Sequence, residues 1–282
     1  MATPAAPPLP DELDRLLRRM RLPYLRKAAP DVLATARAQR WDPAEVLKVL
    51  ITEEVVGRDA ATRRIRRAGA NFPTGKTLGS WRPEESTIPE ATQNALVTLE
   101  WIGRAENLVI AGPSGTGKSH LTEGLAHAAI EKDLKVAWFT LETLHAVIAK
   151  TKIDGSTART VARICRADLI VIDDIGMLPV QAEAAEAFYR IIDAAYERRS
   201  IAVTSNIHPS GFDTIMPKTI ATAAVDRLLH HAHLVLTSGD CECVRECGCG
   251  RRRCSRGGRS CAPDCGPSRP GPLFRWMPMR SW

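Results

Sequence analysis

Eight residues, Gly112-Pro113-Ser114-Gly115-Thr116-Gly117-Lys118-Ser119, constrain this chain more than any other stretch. They follow a short aliphatic run at 108–111 and open a helical pattern, so the segment reads strand, glycine-rich turn, helix. In that setting the glycines let the backbone curl around a phosphate with its N–H groups inward. The helix N-terminus adds the positive end of its dipole. All eight are the expected nucleotide-binding residues: Lys118 can reach the β- and γ-phosphates of ATP, and the Ser119 hydroxyl can ligate Mg²⁺. A glycine turn before an ordinary helix is the plainer alternative, and it leaves the ordered strand and helix unexplained. Thr74-Gly75-Lys76-Thr77 holds a second GKT, but its first glycine would fall on Ala70 and no strand precedes it. That segment reads as linker.

The surrounding pattern predicts an α/β fold. Short apolar strands at 108–111, 136–140, 169–173, 201–205 and 234–236 alternate with helices near 118–131, 142–150, 158–166, 182–198 and 221–231. Such alternation implies a parallel sheet covered on both faces, with ligands at the carboxyl ends of its strands. Residues 1–10 are Pro/Ala-rich and read as disordered. Residues 11–70 form a helical N-terminal region, with Leu13, Leu16, Leu17 and Val46, Leu47, Leu50, Ile51 at helical spacing. Asp42-Pro43-Ala44-Glu45 reads as a helix start with Asp42 as N-cap and Glu45 completing a capping box. Residues 71–106 are a linker and entry helix, 107–239 the ATPase core, and 240–282 a separate tail.

A second motif lies at 169–174, where four aliphatics precede Asp173 and Asp174. A buried central strand explains the aliphatics and delivers both carboxylates beside the phosphates. Asp173 is the expected Mg²⁺ partner, acting through Ser119 and water, and Asp174 the group that orients or deprotonates the attacking water. Two aspartates capping a turn before Gly176 are the plainer alternative. Asn206, at the end of the next strand, can hold that water or touch the γ-phosphate, or can start the turn into His208-Pro209. Arg227, on the helix before the last strand, can stabilise transition-state charge on a neighbouring subunit's nucleotide. Its alternative is a surface salt bridge.

The composition excludes other classes. The chain of 282 residues is 44% apolar and 25% charged, ordinary for a globular protein. No aliphatic run approaches a bilayer span, and the N-terminus lacks the charged and apolar regions of a signal peptide, so a cytoplasmic protein is expected. Cys165 is the one cysteine before Cys241, which fits a reducing compartment. The net charge of +7 is uneven: residues 1–106 carry 17 basic and 14 acidic groups, 107–239 carry 13 and 14, and 240–282 carry 9 and 4. Global basicity is therefore weak evidence for DNA binding by the core. Arg63, Arg64, Arg66 and Arg67 make a basic helical face that either neutralises DNA phosphates or pairs with Glu53, Glu54 and Asp59.

The segments Glu106 to Leu121, Ala195-Tyr196-Glu197-Arg198-Arg199-Ser200, Thr204-Ser205-Asn206 and Asp226-Arg227-Leu228-Leu229-His230-His231-Ala232-His233 resemble the IstB-like ATP-binding proteins. These are helper ATPases encoded beside the transposase of bacterial insertion sequences, on a branch of the AAA+ ATPases close to helicase loaders. The similarity runs from about residue 11 to 239. It implies a P-loop AAA+ core after a small all-α region, assembly as a homo-oligomer on duplex DNA with ATP, and activation of a partner transposase. By residue it carries nucleotide binding to 112–119, Mg²⁺ and water roles to Asp173 and Asp174, sensing to Asn206 and the trans-acting arginine to Arg227. Related ATPases often carry Glu where Asp174 stands. A helicase loader acting in replication, or an inactive remnant, are the other readings. The tail departs from the family. Its seven cysteines lack CxxC spacing, which disfavours a zinc module; a basic arm on DNA is a second reading. The favoured one is a shifted reading frame, because 30 Arg against 9 Lys suggests a GC-rich gene whose other frames yield Arg, Gly, Pro and Cys.

Overall fold

The computed structural model describes residues 6–152, 155–176 and 180–238. The zinc, basic-arm and frameshift readings of the tail fall outside these residues. The chain begins with three helices, α1 (Asp11–Arg19), α2 (Pro23–Gln39) and α3 (Pro43–Ala70). Asp42 caps α3, but its carboxylate accepts from the Ala44 N–H at 2.9 Å rather than pairing with Glu45. Buried Glu54 of α3 accepts from the Tyr24 and Leu25 N–H groups at 2.9 and 2.8 Å and so caps α2. Burial alone would raise its pKa, yet these bonds and Arg58 hold it below the usual carboxylate value. Of the leucines expected inside, Leu17 is buried, while Leu16 and Leu47 are 50% and 58% exposed. The helical pattern therefore holds, and part of its apolar face looks outward.

The ion pairs described for the basic run of α3 are not with Glu53, Glu54 or Asp59. Arg63 and Arg66 reach Asp133 at 3.1 and 3.3 Å, and Arg67 pairs with Glu131. Glu131 ends the phosphate-loop helix and Asp133 follows it, so three of these arginines tie the helical region to the core. Glu54 is already committed to α2.

Five parallel strands form the core sheet: β1 (Asn107–Ala111), β2 (Val136–Thr140), β3 (Leu169–Ile175), β4 (Ser200–Ser205) and β5 (Ala232–Leu236), in the order β2-β3-β4-β1-β5. The alternation of β3 feeds two cores. Ile170 and Ile172 pack with Leu144, Ile148, Phe188 and Ile191 from α7 (Leu141–Lys152) and α9 (Ala182–Ala195). Leu169 and Val171 face the layer that holds Leu121 and Leu125 of α6 (Lys118–Glu131) and Trp101. The remaining core helices are α8 (Thr157–Ile164) and α10 (Lys218–Leu229). This is the expected α/β fold, a parallel sheet flanked by helices after a small all-α region. Inserting β4 between β1 and β3 opens a crevice at their carboxyl ends, where ligands of such sheets sit. The segment before the sheet contributes α4 (Glu90–Val97) and α5 (Glu100–Gly103), with Trp101 fully buried beneath them. Among the described residues no helix is long and apolar enough to cross a membrane.

Candidate nucleotide site

The phosphate loop starts where three strands end. The Gly112 N–H donates to Ser205 O of β4 at 3.0 Å, and the Thr237 N–H, just past β5, donates to Ala111 O at 2.8 Å. At Gly112 φ is +152°, and a Cβ there would lie 2.2 Å from the Thr237 carbonyl oxygen. At Gly117 φ is +83°, and a Cβ would meet the Trp81 ring at 2.8 Å. A side chain at either position would push strand or linker away, so these glycines are required by close approach as well as by conformation. Thr116 Oγ1 donates to Pro113 O at 3.0 Å and meets Thr237 Oγ1 at 2.7 Å, which anchors the loop rim.

Lys118 and Ser119 open α6 and point into the crevice. Buried Lys118 donates from Nζ to Pro113 O at 2.6 Å and to Asn206 Oδ1 at 3.0 Å. Burial lowers its pKa, opposed by the charges of Asp174 and Asp173. Ser119 Oγ donates to Asp173 Oδ1 at 2.9 Å, and Thr204 Oγ1 donates to the same oxygen. Burial pushes the Asp173 carboxyl up, against those two hydrogen bonds. Between Ile172 and Ile175 the β3–β4 register shifts, a bulge of the kind that re-aims side chains beside active sites. Asp174 adopts φ +69° there and is exposed. Its N–H donates to Thr204 Oγ1 at 2.9 Å, and its carboxylate accepts from Asn206 Nδ2 at 3.1 Å.

Lys118, Ser119, Asp173, Asp174 and Asn206 thus sit in one hydrogen-bonded cluster at the carboxyl edge of the sheet. The pairing of a hydroxyl with a carboxylate offers the hard oxygen donors that suit Mg²⁺, and the glycine turn with Lys118 suits phosphate oxygens. Arg227 stands apart. It donates from Nη1 to Tyr189 Oη at 2.7 Å, lies 5.1 Å from that ring's centre, and meets Asp193 at 3.2 Å. Its described partners are all on α9.

Three contributors escaped the sequence reading. Thr204 joins the two aspartates, and Thr237 closes the loop from β5. Glu123, one turn beyond Ser119 and 1% exposed, accepts hydrogen bonds from the Thr74 hydroxyl and the Gly75 N–H. The second GKT therefore straps its segment onto α6. His120 extends that strap, with Nε2 3.0 Å from Ser80 Oγ and its ring edge-on to Trp81 at 5.2 Å. A polar residue late in an apolar strand marks Thr204 as a candidate; for Glu123 no local signal names the partner.

Comparison with known proteins shows the family. The family model described as IstB-like ATP binding protein matches residues 15–247. An ATP-binding protein of insertion sequence IS21 from Pseudomonas aeruginosa is 30% identical over 240 residues, which cover 83% of this chain and 89% of that one. An insertion-sequence ATP-binding protein of Sinorhizobium fredii is 31% identical over 235 residues, covering 81% and 94%. Among solved structures, AMPPCP-bound DnaA from Aquifex aeolicus aligns over 65% of this chain and 59% of its own, with 21% identity and a TM-score of 0.48.

Proposed function

The chain belongs to the IstB-like ATP-binding proteins, P-loop ATPases of the AAA+ branch, and from that premise we propose what its site does. It couples ATP turnover in the cytoplasm to assembly on duplex DNA and to activation of a partner transposase during insertion-sequence transposition. The cluster of five side chains around Lys118 carries the catalytic part of this reading. Lys118, now held by Pro113 O and Asn206, exchanges those bonds for β- and γ-phosphate oxygens. Ser119 and Asp173 are the residues that would hold Mg²⁺, which supplies neutralisation of phosphate charge when bound. Asp174, exposed and held by Asn206, orients the attacking water and takes its proton. Arg227 binds α9 residues outside this cluster, which supports action on a neighbouring subunit's nucleotide and hence a homo-oligomer. The DNA and transposase parts rest on kinship with insertion-sequence helpers.

Lys118→Ala tests the reading, because that side chain serves the ligand more than the core. Losing charge-assisted bonds of about 1.5–3 kcal/mol each should weaken binding of a fluorescent ATP analogue at least about tenfold, with the circular dichroism spectrum unchanged. ATP-dependent band shifts on duplex DNA should vanish with it. Unchanged nucleotide affinity in the folded variant overturns the site. Stimulation of a replicative helicase, and not of strand transfer by the transposase encoded beside it, overturns the transposition part.

A further inference from the structure

We propose that Glu197, His230 and His231 form a binding site for a divalent transition-metal ion of the zinc type. The nucleotide site uses none of the three. Glu197 lies in the turn between α9 and β4, and the two histidines follow α10. The structure thus joins two segments that the ATP chemistry leaves unexplained. One ligand atom from each residue lies within 4.8 Å of the others, and all three side chains are exposed. Glu197 adopts φ +55°, and its carboxylate lies 3.9 Å from His230 Nδ1. The two imidazole rings stand 4.2 Å apart at 68°.

Imidazole nitrogen with one carboxylate favours zinc, cobalt, nickel or copper over Mg²⁺ or Ca²⁺. Three protein ligands leave a fourth position for water. Metal–ligand bonds of about 2.0–2.1 Å need the donors somewhat closer than they stand, which exposed side chains reach by small rotations. Tyr196 Oη shares a 2.9 Å hydrogen bond with His230 Nδ1. Nδ1 is also the nitrogen that faces Glu197, so Tyr196 gives up this contact when Nδ1 turns to a metal. Bound metal would pin the α9–β4 turn to the end of α10, three residues after Arg227.

Titration of the full chain with Co²⁺, after its cysteines are alkylated with iodoacetamide, tests this. About one equivalent should bind, with weak visible bands of nitrogen and oxygen ligation and no sulfur charge-transfer band. The double variant His230→Ala/His231→Ala, and separately Glu197→Gln, should lose that binding while keeping fold and ATP affinity. Absence of saturable Co²⁺ binding, or binding that folded Glu197→Gln and the double variant both retain, overturns the site and leaves a hydrogen-bonded ring cluster.

Discussion

Thr204 is where the two carboxylates converge, and Thr204→Val separates its hydroxyl from its bulk. The change keeps the side-chain shape in a strand buried along its whole length and deletes one O–H. That hydroxyl donates to Asp173 and accepts from the Asp174 N–H at 2.9 Å. A hydrogen bond to a charged group contributes about 1.5–3 kcal/mol. Asp173 keeps its bond from Ser119, so the expected loss of stability while Asp173 is charged is about 2 kcal/mol. The loss must depend on pH. Burial already raises the Asp173 pKa, so the folded chain binds that proton more readily than the unfolded chain. Its contribution to stability falls as pH rises from the ordinary carboxylate value through the raised folded one. Without Thr204 the folded value rises further, and the penalty is full only above that window. It shrinks as acid protonates Asp173. Urea unfolding of both proteins at pH 7.5 and at the lowest pH where both stay folded measures the difference. Thr204→Ser keeps the hydroxyl and should lose about 1 kcal/mol at both pH values, from the missing methyl. Equal penalties for Thr204→Val at both pH values, or none at either, refute the claim that this hydroxyl stabilises a buried charged Asp173.

Two further outcomes follow from the same cluster and its surroundings. Asp174→Asn should bind ATP normally while turnover falls about 10²–10⁴-fold, read by steady-state phosphate release; normal hydrolysis would place the base elsewhere. Arg227→Ala should cost about 10³–10⁵ in turnover while sparing nucleotide binding by the isolated subunit. Mixing it with Lys118→Ala should restore part of the activity, because one interface then pairs an intact loop with an intact arginine; if no ratio restores any, Arg227 does not act across subunits.

What the sequence made legible was chemistry set by neighbours along the chain. The phosphate loop needs its glycines, lysine and serine within eight residues. The run Leu169 to Asp174 carries its own burial and its own strand end. The parallel sheet shows in the alternation of strand and helix. Most long-range pairing was not legible. The motifs lead to Asp173 beside Ser119, but Lys118 meets Asn206 because β4 lies next to β1, and no local pattern encodes strand order. The β3 bulge is equally hidden, since Asp173-Asp174 reads the same with or without a register shift. The arginines of α3 show why charge runs mislead: their partners, Asp133 and Glu131, lie more than 60 residues on, beyond any helical spacing rule. The second GKT makes the point most sharply. Its Gly75 N–H meets a carboxylate, as a phosphate-loop N–H would meet a phosphate, but the anion is Glu123 of the protein itself. A glycine turn supplies donors for any anion, and only the fold decides whether a ligand or a side chain arrives.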